Sequence, residues 1–213
     1  MANRLQGKKV AVLVETEYIH DEVEHYKKAF SAEGAQVDFM ANLWGKKSQK
    51  FICDITDPDN PQDHIHTMTC DLDVDSCNPN DYAIILVAAN YVACRLREIP
   101  PMHSLGSVDN LKTPPAVRFF AAAMMNKNIV KGALCHGLWL LTPVPELLRG
   151  RRVICHTVVL ADIHNAGAVF EPAASHVVVD DDLVTARSAM DLDIYTRTLI
   201  ETYEAVQNRA YPV

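Results

Sequence analysis

The chain has 213 residues, of which 49% are hydrophobic and 22% are charged, and this composition excludes a disordered chain. Acidic residues number 27 and basic residues 20, so the formal net charge is −7. That balance argues against a broad phosphate-binding surface, and we expect no nucleic-acid partner.

The chain shows no sign of export or membrane insertion. No apolar run reaches the ~18 residues that a membrane-spanning helix needs, and the N-terminus lacks the apolar segment of a signal peptide. We therefore expect a cytoplasmic protein with no membrane partner. The six cysteines are scattered and form no Cys-x-x-Cys pair, which predicts reduced thiols rather than structural disulfides.

The N-terminal segment predicts a βαβ unit. Residues 10–14 are a continuous apolar run typical of a buried strand, residues 21–32 carry apolar positions at helical spacing, and residues 37–39 predict the next strand. An irregular excursion then covers about residues 41–80, with one short strand near 66–70. Such a segment is often functional, and here it could form a lid that narrows substrate choice.

His64 and His66 in this excursion would share one face of a strand, as zinc ligands can. The nearby acids and cysteines meet neither zinc-finger nor EF-hand spacing, so we expect no metal site. A polar, solvated loop is the simpler interpretation.

Strand and helix patterns resume after the excursion. The predicted elements are a strand at 83–89, a helix at 116–125, a strand at 128–134, a helix from 137 to 141 interrupted by Pro143 and Pro145, a short helix at 145–149, a strand at 153–155, a hairpin of 176–179 with 183–186, and a helix at 194–206. An irregular stretch at 100–113 precedes the first of these helices. This order predicts a three-layer α/β/α sandwich with a mostly parallel, flavodoxin-like sheet and a small antiparallel hairpin. We expect a single domain over residues 1–213.

Cys135 stands apart from the other cysteines. It directly follows a buried strand and precedes a predicted helix, with the small residues Ala133 and Gly137 two positions before and after it. A sharp strand-to-helix turn needs small residues at these positions, as in the nucleophile elbow of hydrolases. The helix N-terminus would favour the thiolate, while the adjacent His136 could act as its base. A buried, inert cysteine is the alternative, but the spacing favours a nucleophile.

These residues resemble the DJ-1/PfpI family of the class I glutamine-amidotransferase-like superfamily. The match is carried by Ala-Leu-Cys135-His-Gly137, then by Leu147-Leu-Arg-Gly-Arg-Arg-Val153, Asn165-Ala-Gly-Ala168 and Val177-Val-Val-Asp-Asp-Asp-Leu-Val-Thr-Ala-Arg187. The Cys-His-Gly elbow is closer to the PfpI protease branch than to the DJ-1 branch. The resemblance implies a homodimer or larger assembly.

The resemblance also implies a carboxylic acid on the first helix that hydrogen-bonds the nucleophilic sulfur. Counting back from Gly34 places this acid at Glu22, with Glu17 and Glu24 as alternatives. A protonated glutamic acid that donates to the sulfur would lower the pKa of Cys135. A solvated residue on the helix surface is the competing interpretation of Glu22.

The chain departs from the family pattern after the central strand. Ala88-Ala89-Asn90 stands in place of Pro-Gly-Gly, and Cys94 stands where the triad glutamate is expected. Ala89 and Asn90 would therefore supply the oxyanion hole together with Gly137, and a side chain at Asn90 is expected to narrow the approach. Because a cysteine cannot orient a histidine as a carboxylate does, the peptidase interpretation is weakened.

Other residues could take part in the site. Glu98 or an acid of the excursion could replace the missing triad acid. Cys94 could resolve an oxidised Cys135, or it could be buried and inert. His156 follows another predicted strand and could carry a proton or contact substrate, although a satisfied histidine at a strand end is equally compatible.

We therefore expect a cysteine-dependent hydrolase or lyase that acts on a small carbonyl compound or amide and needs no cofactor. Cys135 would attack, His136 would move the proton and Glu22 would stabilise the thiolate. A redox or stress-sensing protein with a reversibly oxidised Cys135 is the alternative. A binding protein with a vestigial elbow is a third hypothesis.

Overall fold

The structure, a computed structural model, describes residues 3–55, 65–99, 106–174 and 176–210. The strands are β1 (Lys9–Leu13), β2 (Gln36–Met40), β3 (Gln49–Ile52), β4 (Thr67–Cys70), β5 (Ile84–Val87), β6 (Val130–Leu134), β7 (Arg152–Val153), β8 (Val169–Phe170), β9 (Val177–Asp180) and β10 (Leu183–Ala186). The helices are α1 (His20–Ala32), α2 (Val92–Leu96), α3 (Pro115–Met124), α4 (Leu160–Asn165) and α5 (Leu192–Ala210).

Six strands form the central sheet in the order β2-β1-β5-β6-β10-β9. All neighbours are parallel except β9, which forms an antiparallel hairpin with β10. The residues of β5 and β6 are buried throughout, because helices cover both faces of a parallel sheet. This arrangement confirms the predicted α/β/α class, the mostly parallel sheet and the small hairpin.

The excursion contains a second, two-stranded sheet. β3 pairs antiparallel with β4, so the strand expected near 66–70 is confirmed, whereas β3 was not predicted. The hairpin joins the loop before α1 through a hydrogen bond from the Glu17 N–H to the Ile52 carbonyl at 2.8 Å. The rings of His20 and His66 stack with centroids 3.6 Å apart. The hairpin therefore packs beside the carboxyl end of β1. His64 lies outside the described residues.

The two helical segments expected after Cys135 are present as 3₁₀ helices, Gly137–Leu141 and Pro145–Leu147. The second ends before the expected residue 149. Pro143 and Pro145 lack the N–H groups that a continuing α-helix requires, as the predicted interruption assumes. The sequence also did not indicate α2, α4 or β8.

A buried charged cluster surrounds Lys131 of β6. The fully buried Lys131 ammonium donates to the carbonyls of Asn126 at 2.9 Å and Ile129 at 2.8 Å, and it pairs with Asp182. Arg151 also binds Asp182, at 2.8 Å. Burial lowers the pKa of Lys131, and Asp182 opposes that effect. The cluster satisfies every donor of the ammonium, so it anchors the end of the sheet remote from Cys135.

In the ranges described, no helix combines the length and apolar character required to cross a membrane.

Candidate active site

Cys135 occupies a sharp turn directly after β6. Its backbone is left-handed, with φ of +58°, and its N–H donates to the Ala186 carbonyl at 2.9 Å. A Cβ at Gly137 would lie 2.8 Å from Val87 Cγ1 and 3.1 Å from the Ala133 Cβ, so the turn needs glycine there. The geometry is that of a nucleophile elbow, as the spacing of small residues predicts.

The Cys135 sulfur is partly buried and lies beside two backbone amides. The backbone amides of Asn90 and His136 lie close to the sulfur and lower the pKa of Cys135. Burial, followed by the charge of Glu22, outweighs them and raises the pKa of Cys135 to about 12. The expected lowering of this pKa at rest is therefore wrong. The short 3₁₀ helix that follows supplies little of the dipole on which that expectation rested.

Glu22 lies on the first turn of α1 and is fully buried. The Ala89 N–H donates to both carboxyl oxygens at 3.0 Å. Burial raises the pKa of Glu22 to about 7, against the opposing effects of the Tyr26 hydroxyl and the Ala89 amide. Glu22 is therefore the acid of α1 whose charge reaches Cys135.

The other two candidate acids lie elsewhere. Glu24 is exposed to solvent, and Glu17 forms an ion pair with Arg95 at 2.7 Å. The structure thus brings Glu22, rather than either alternative, to the elbow.

The segment after β5 faces the elbow. Because the Ala89 N–H is engaged by Glu22, it is not directed at a substrate oxygen. Asn90 is left-handed with φ of +61° and is 8% exposed. Its side-chain amide donates to Asp54 Oδ2 at 2.5 Å. The side chain at position 90 is therefore bound to the excursion, which differs from the expectation that it narrows the approach to Cys135.

His136 is buried among aromatic rings. Its centroid lies 4.9 Å from that of Trp139, 5.0 Å from that of His156 and 5.5 Å from that of Tyr91. Neither ring nitrogen has a hydrogen-bond partner within the described parts of the chain. Burial, followed by the neighbouring His156, lowers the pKa of His136 to about 4. The ring is therefore neutral at pH 7.

His156 is tied to the elbow by its backbone. Its N–H donates to the Cys135 carbonyl at 3.1 Å, and its Nδ1 accepts from the Val158 N–H at 3.3 Å. The accepting Nδ1 places the ring proton on Nε2 in the neutral form. His156 therefore caps a 3₁₀ helix and contacts the His136 ring at the same time.

The remaining thiols differ in their surroundings. Cys94 is half-buried on α2, which packs against the 3₁₀ helix after Cys135. Burial raises the pKa of Cys94 while Arg97 opposes it. Cys155 is buried, and burial raises the pKa of its thiol to about 11. Glu98 is exposed to solvent.

The sequence did not single out three residues of this site: Asp54, Tyr91 and Trp139. Asp54 reaches Asn90 across a long separation along the chain, which leaves no local signal. The two aromatic residues resemble ordinary core positions in the sequence. Among the described residues, no group of three or more metal-ligating side chains could hold a metal ion.

Comparison with known proteins agrees with this architecture. The model of the DJ-1/PfpI family matches residues 106–202, which include Cys135, His136 and His156. An uncharacterized protein of Staphylococcus haemolyticus is 25% identical over 93% of this chain and 99% of its own length.

Two solved structures illustrate the shared fold. The crystal structure of a two-domain protein from Anabaena variabilis with DJ-1/ThiJ/PfpI-like and ferritin-like domains has a TM-score of 0.73 and 22% identity. The match covers 91% of this chain and 47% of the longer Anabaena chain. Schizosaccharomyces pombe DJ-1 has a TM-score of 0.64 and 15% identity, and covers 96% of this chain and 99% of its own.

Proposed function

From the confirmed resemblance to the DJ-1/PfpI family in sequence and fold, we propose that this protein is a cysteine-dependent hydrolase or lyase acting on a small carbonyl compound or amide. The observation that carries the proposal is the elbow itself. Cys135 is held at φ of +58°, and the backbone amides of Asn90 and His136 and the buried Glu22 carboxyl all act on the pKa of its thiol. Strained backbone and burial of this kind are typical of catalytic sites.

The high pKa of the thiol requires a base at the moment of attack. Glu22, with a pKa of about 7, is about half ionised at neutral pH and suits this role. As the carbon–sulfur bond forms, the carbonyl π electrons move to oxygen and the thiol proton passes to the Glu22 carboxylate. The thiolate therefore forms during attack rather than beforehand.

The neutral His136 serves the second proton transfer. Its ring nitrogens are free of protein partners within the described ranges, so one can donate to the substrate oxygen or leaving group while the other accepts. The backbone amides of Asn90 and His136, which act on the pKa of Cys135, would supply donors to the negative charge that develops on the substrate oxygen. Cys94 stands where the resemblance places the triad glutamate, which favours small carbonyl compounds over peptides.

The first experiment is the pH dependence of Cys135 alkylation by iodoacetamide, with the labelled residue identified by mass spectrometry. The wild type should show an inflection near pH 7, where Glu22 ionises. Glu22→Gln should lose this inflection. Glu24→Gln is the matched control, because Glu24 lies on the same helix but is exposed.

Turnover is then measured with a 2-oxoaldehyde, a simple aldehyde and a primary amide. Cys135→Ser should remove activity on whichever compound is consumed. Labelling of Cys135 only above pH ~8.5, the value for a free thiol, would overturn the nucleophile assignment.

A second candidate function is redox sensing. The hydrogen bond from the His156 N–H to the Cys135 carbonyl places the preceding residue, Cys155, beside the elbow. A peroxide would oxidise the Cys135 thiolate to a sulfenic acid and leave as an alcohol or water. The Cys155 thiol would then form a disulfide with loss of water.

Mild hydrogen peroxide followed by mass spectrometry tests this candidate and separates the two resolving thiols. A reversible disulfide between Cys135 and Cys155, formed in the absence of turnover, would favour sensing. A disulfide with Cys94 would instead support the partner expected from the sequence. Irreversible oxidation of Cys135 alone would contradict a switch that uses either thiol.

A further inference from the structure

Asn90 connects the elbow with the excursion. Its backbone amide lies close enough to the Cys135 sulfur to lower the pKa of that thiol, and its side-chain amide donates to Asp54 Oδ2 at 2.5 Å. It does so in the left-handed conformation, with φ of +61°. Glycine adopts this conformation freely, whereas other residues adopt it at a cost that asparagine tolerates best.

Asp54 is fixed independently of Asn90. Its N–H donates to the Tyr18 carbonyl at 2.9 Å, and the preceding Cys53 donates its N–H to the His66 carbonyl at 3.0 Å. The backbones of Cys53 and Tyr18 also form an isolated parallel β-bridge. Asp54 therefore projects from a point where the hairpin of the excursion joins the loop before α1.

We propose that Asp54 is a positioning residue, which accepts the Asn90 side-chain hydrogen bond and so holds the Asn90 N–H against the Cys135 sulfur. The proposal rests on the proposed function, because the aligned N–H matters only if Cys135 reacts. It assigns a role to the excursion: the hairpin braces the donor side of the elbow. An aspartate–asparagine pair thereby supports a conformation that glycine would adopt without support.

The geometry favours positioning over a direct electrostatic role. The Asp54 carboxylate bonds the far end of the Asn90 side chain, whereas the sulfur is reached by the Asn90 backbone. The negative charge of Asp54 would oppose a thiolate by simple repulsion. Removing Asp54 should therefore increase the reactivity of Cys135 if charge dominated, and decrease it if positioning dominated.

A double-mutant cycle separates these possibilities. Asp54→Ala should slow alkylation of Cys135 at pH 7 by about tenfold, the scale expected for loss of one charge-assisted hydrogen bond. Asp54→Asn, whose carbonyl oxygen can still accept from Asn90, should recover most of the rate. In the Asn90→Gly background, Asp54→Ala should have no further effect. Asp71→Ala is the control, because Asp71 is an exposed acid next to β4.

A second readout does not depend on thiol reactivity. Amide hydrogen exchange over residues 88–92 should accelerate in Asp54→Ala and be unchanged in Asp71→Ala. If the wild-type thiol proves unreactive below pH ~8.5, the proposed function fails, and the exchange data still test the contact. Equal slowing by Asp54→Ala in both Asn90 backgrounds, faster alkylation, or unchanged exchange would each overturn the positioning role.

Discussion

Replacing the buried Glu22 with glutamine should make the folded protein more stable at alkaline pH. The pKa of Glu22 is about 7 in the folded chain, against an ordinary value of 4.5. Between these values the folded state keeps a proton that the unfolded chain has lost. The free energy of unfolding therefore falls as the pH rises through this window, and the loss is complete above pH 7.

The size of this effect follows from the two values. Each pKa unit corresponds to about 1.4 kcal/mol, so the burial of an ionised Glu22 costs about 3 kcal/mol at high pH. Most of that, about 2–3 kcal/mol, develops between pH 5 and pH 8. Glutamine keeps an oxygen that can accept the Ala89 N–H but does not ionise. Glu22→Gln should therefore gain about 2–3 kcal/mol relative to the wild type over this interval.

Urea unfolding at pH 5, 6, 7 and 8, monitored by circular dichroism, provides the measurement. The quantity of interest is the difference between variant and wild type at each pH, because the other titrating groups then cancel. Glu24→Gln, which changes an exposed acid of the same helix, should follow the wild type throughout. Parallel curves for wild type and Glu22→Gln would refute the reasoning and place the pKa of Glu22 near its ordinary value.

Three further perturbations test other parts of the structure. As the pH falls from 6.5 to about 4, the unfolded chain binds a proton at His136 while the buried ring stays neutral, so the free energy of unfolding decreases. His136→Gln should reduce this decrease. An unchanged decrease in urea unfolding over this pH range would contradict the prediction. Gly137→Ala should lower stability by about 1–3 kcal/mol, since its Cβ would lie 2.8 Å from Val87 Cγ1, and a variant as stable as the wild type would show that the turn has room. Lys131→Ala should cost about 3 kcal/mol in urea denaturation, because it leaves the buried Asp182 with less compensation, and a loss below about 0.5 kcal/mol would show that Arg151 suffices.

The sequence predicts the fold well where apolar patterning is strong. The buried runs that become β1, β5 and β6 are continuous and apolar, so their place in a parallel sheet is readable from composition alone. β3 was missed because Gln49–Ile52 is half polar and pairs only with a short partner strand. The sequence indicates the helical segments on either side of Pro143 but not that they are 3₁₀ helices, since a helical pattern does not reveal how its carbonyls are satisfied.

The site was predictable only in part, for a related reason. The Cys135 elbow has a local steric signature, and Glu22 follows from counting along the first helix. The hydrogen bond between Asp54 and Asn90 joins residues that are far apart in sequence. The residue type of Asn90 does not determine whether its φ angle is positive. The pKa of Cys135 depends on burial by the whole fold, which outweighs the local amide donors that the elbow supplies.

Buried Glu22 lowers the stability of the folded chain but can serve as a base for Cys135. A carboxyl in a fully buried position destabilises the folded chain at neutral pH and above, whereas glutamine would occupy a similar volume without ionising. A base with a pKa near 7 beside a thiol is useful only for moving a proton. Glu22→Gln should therefore be both more stable and less reactive at Cys135, the trade-off expected of a catalytic group. Greater stability with unchanged alkylation would mean that another group removes the thiol proton, and His136, which follows Cys135 in the chain, would be the base to test next.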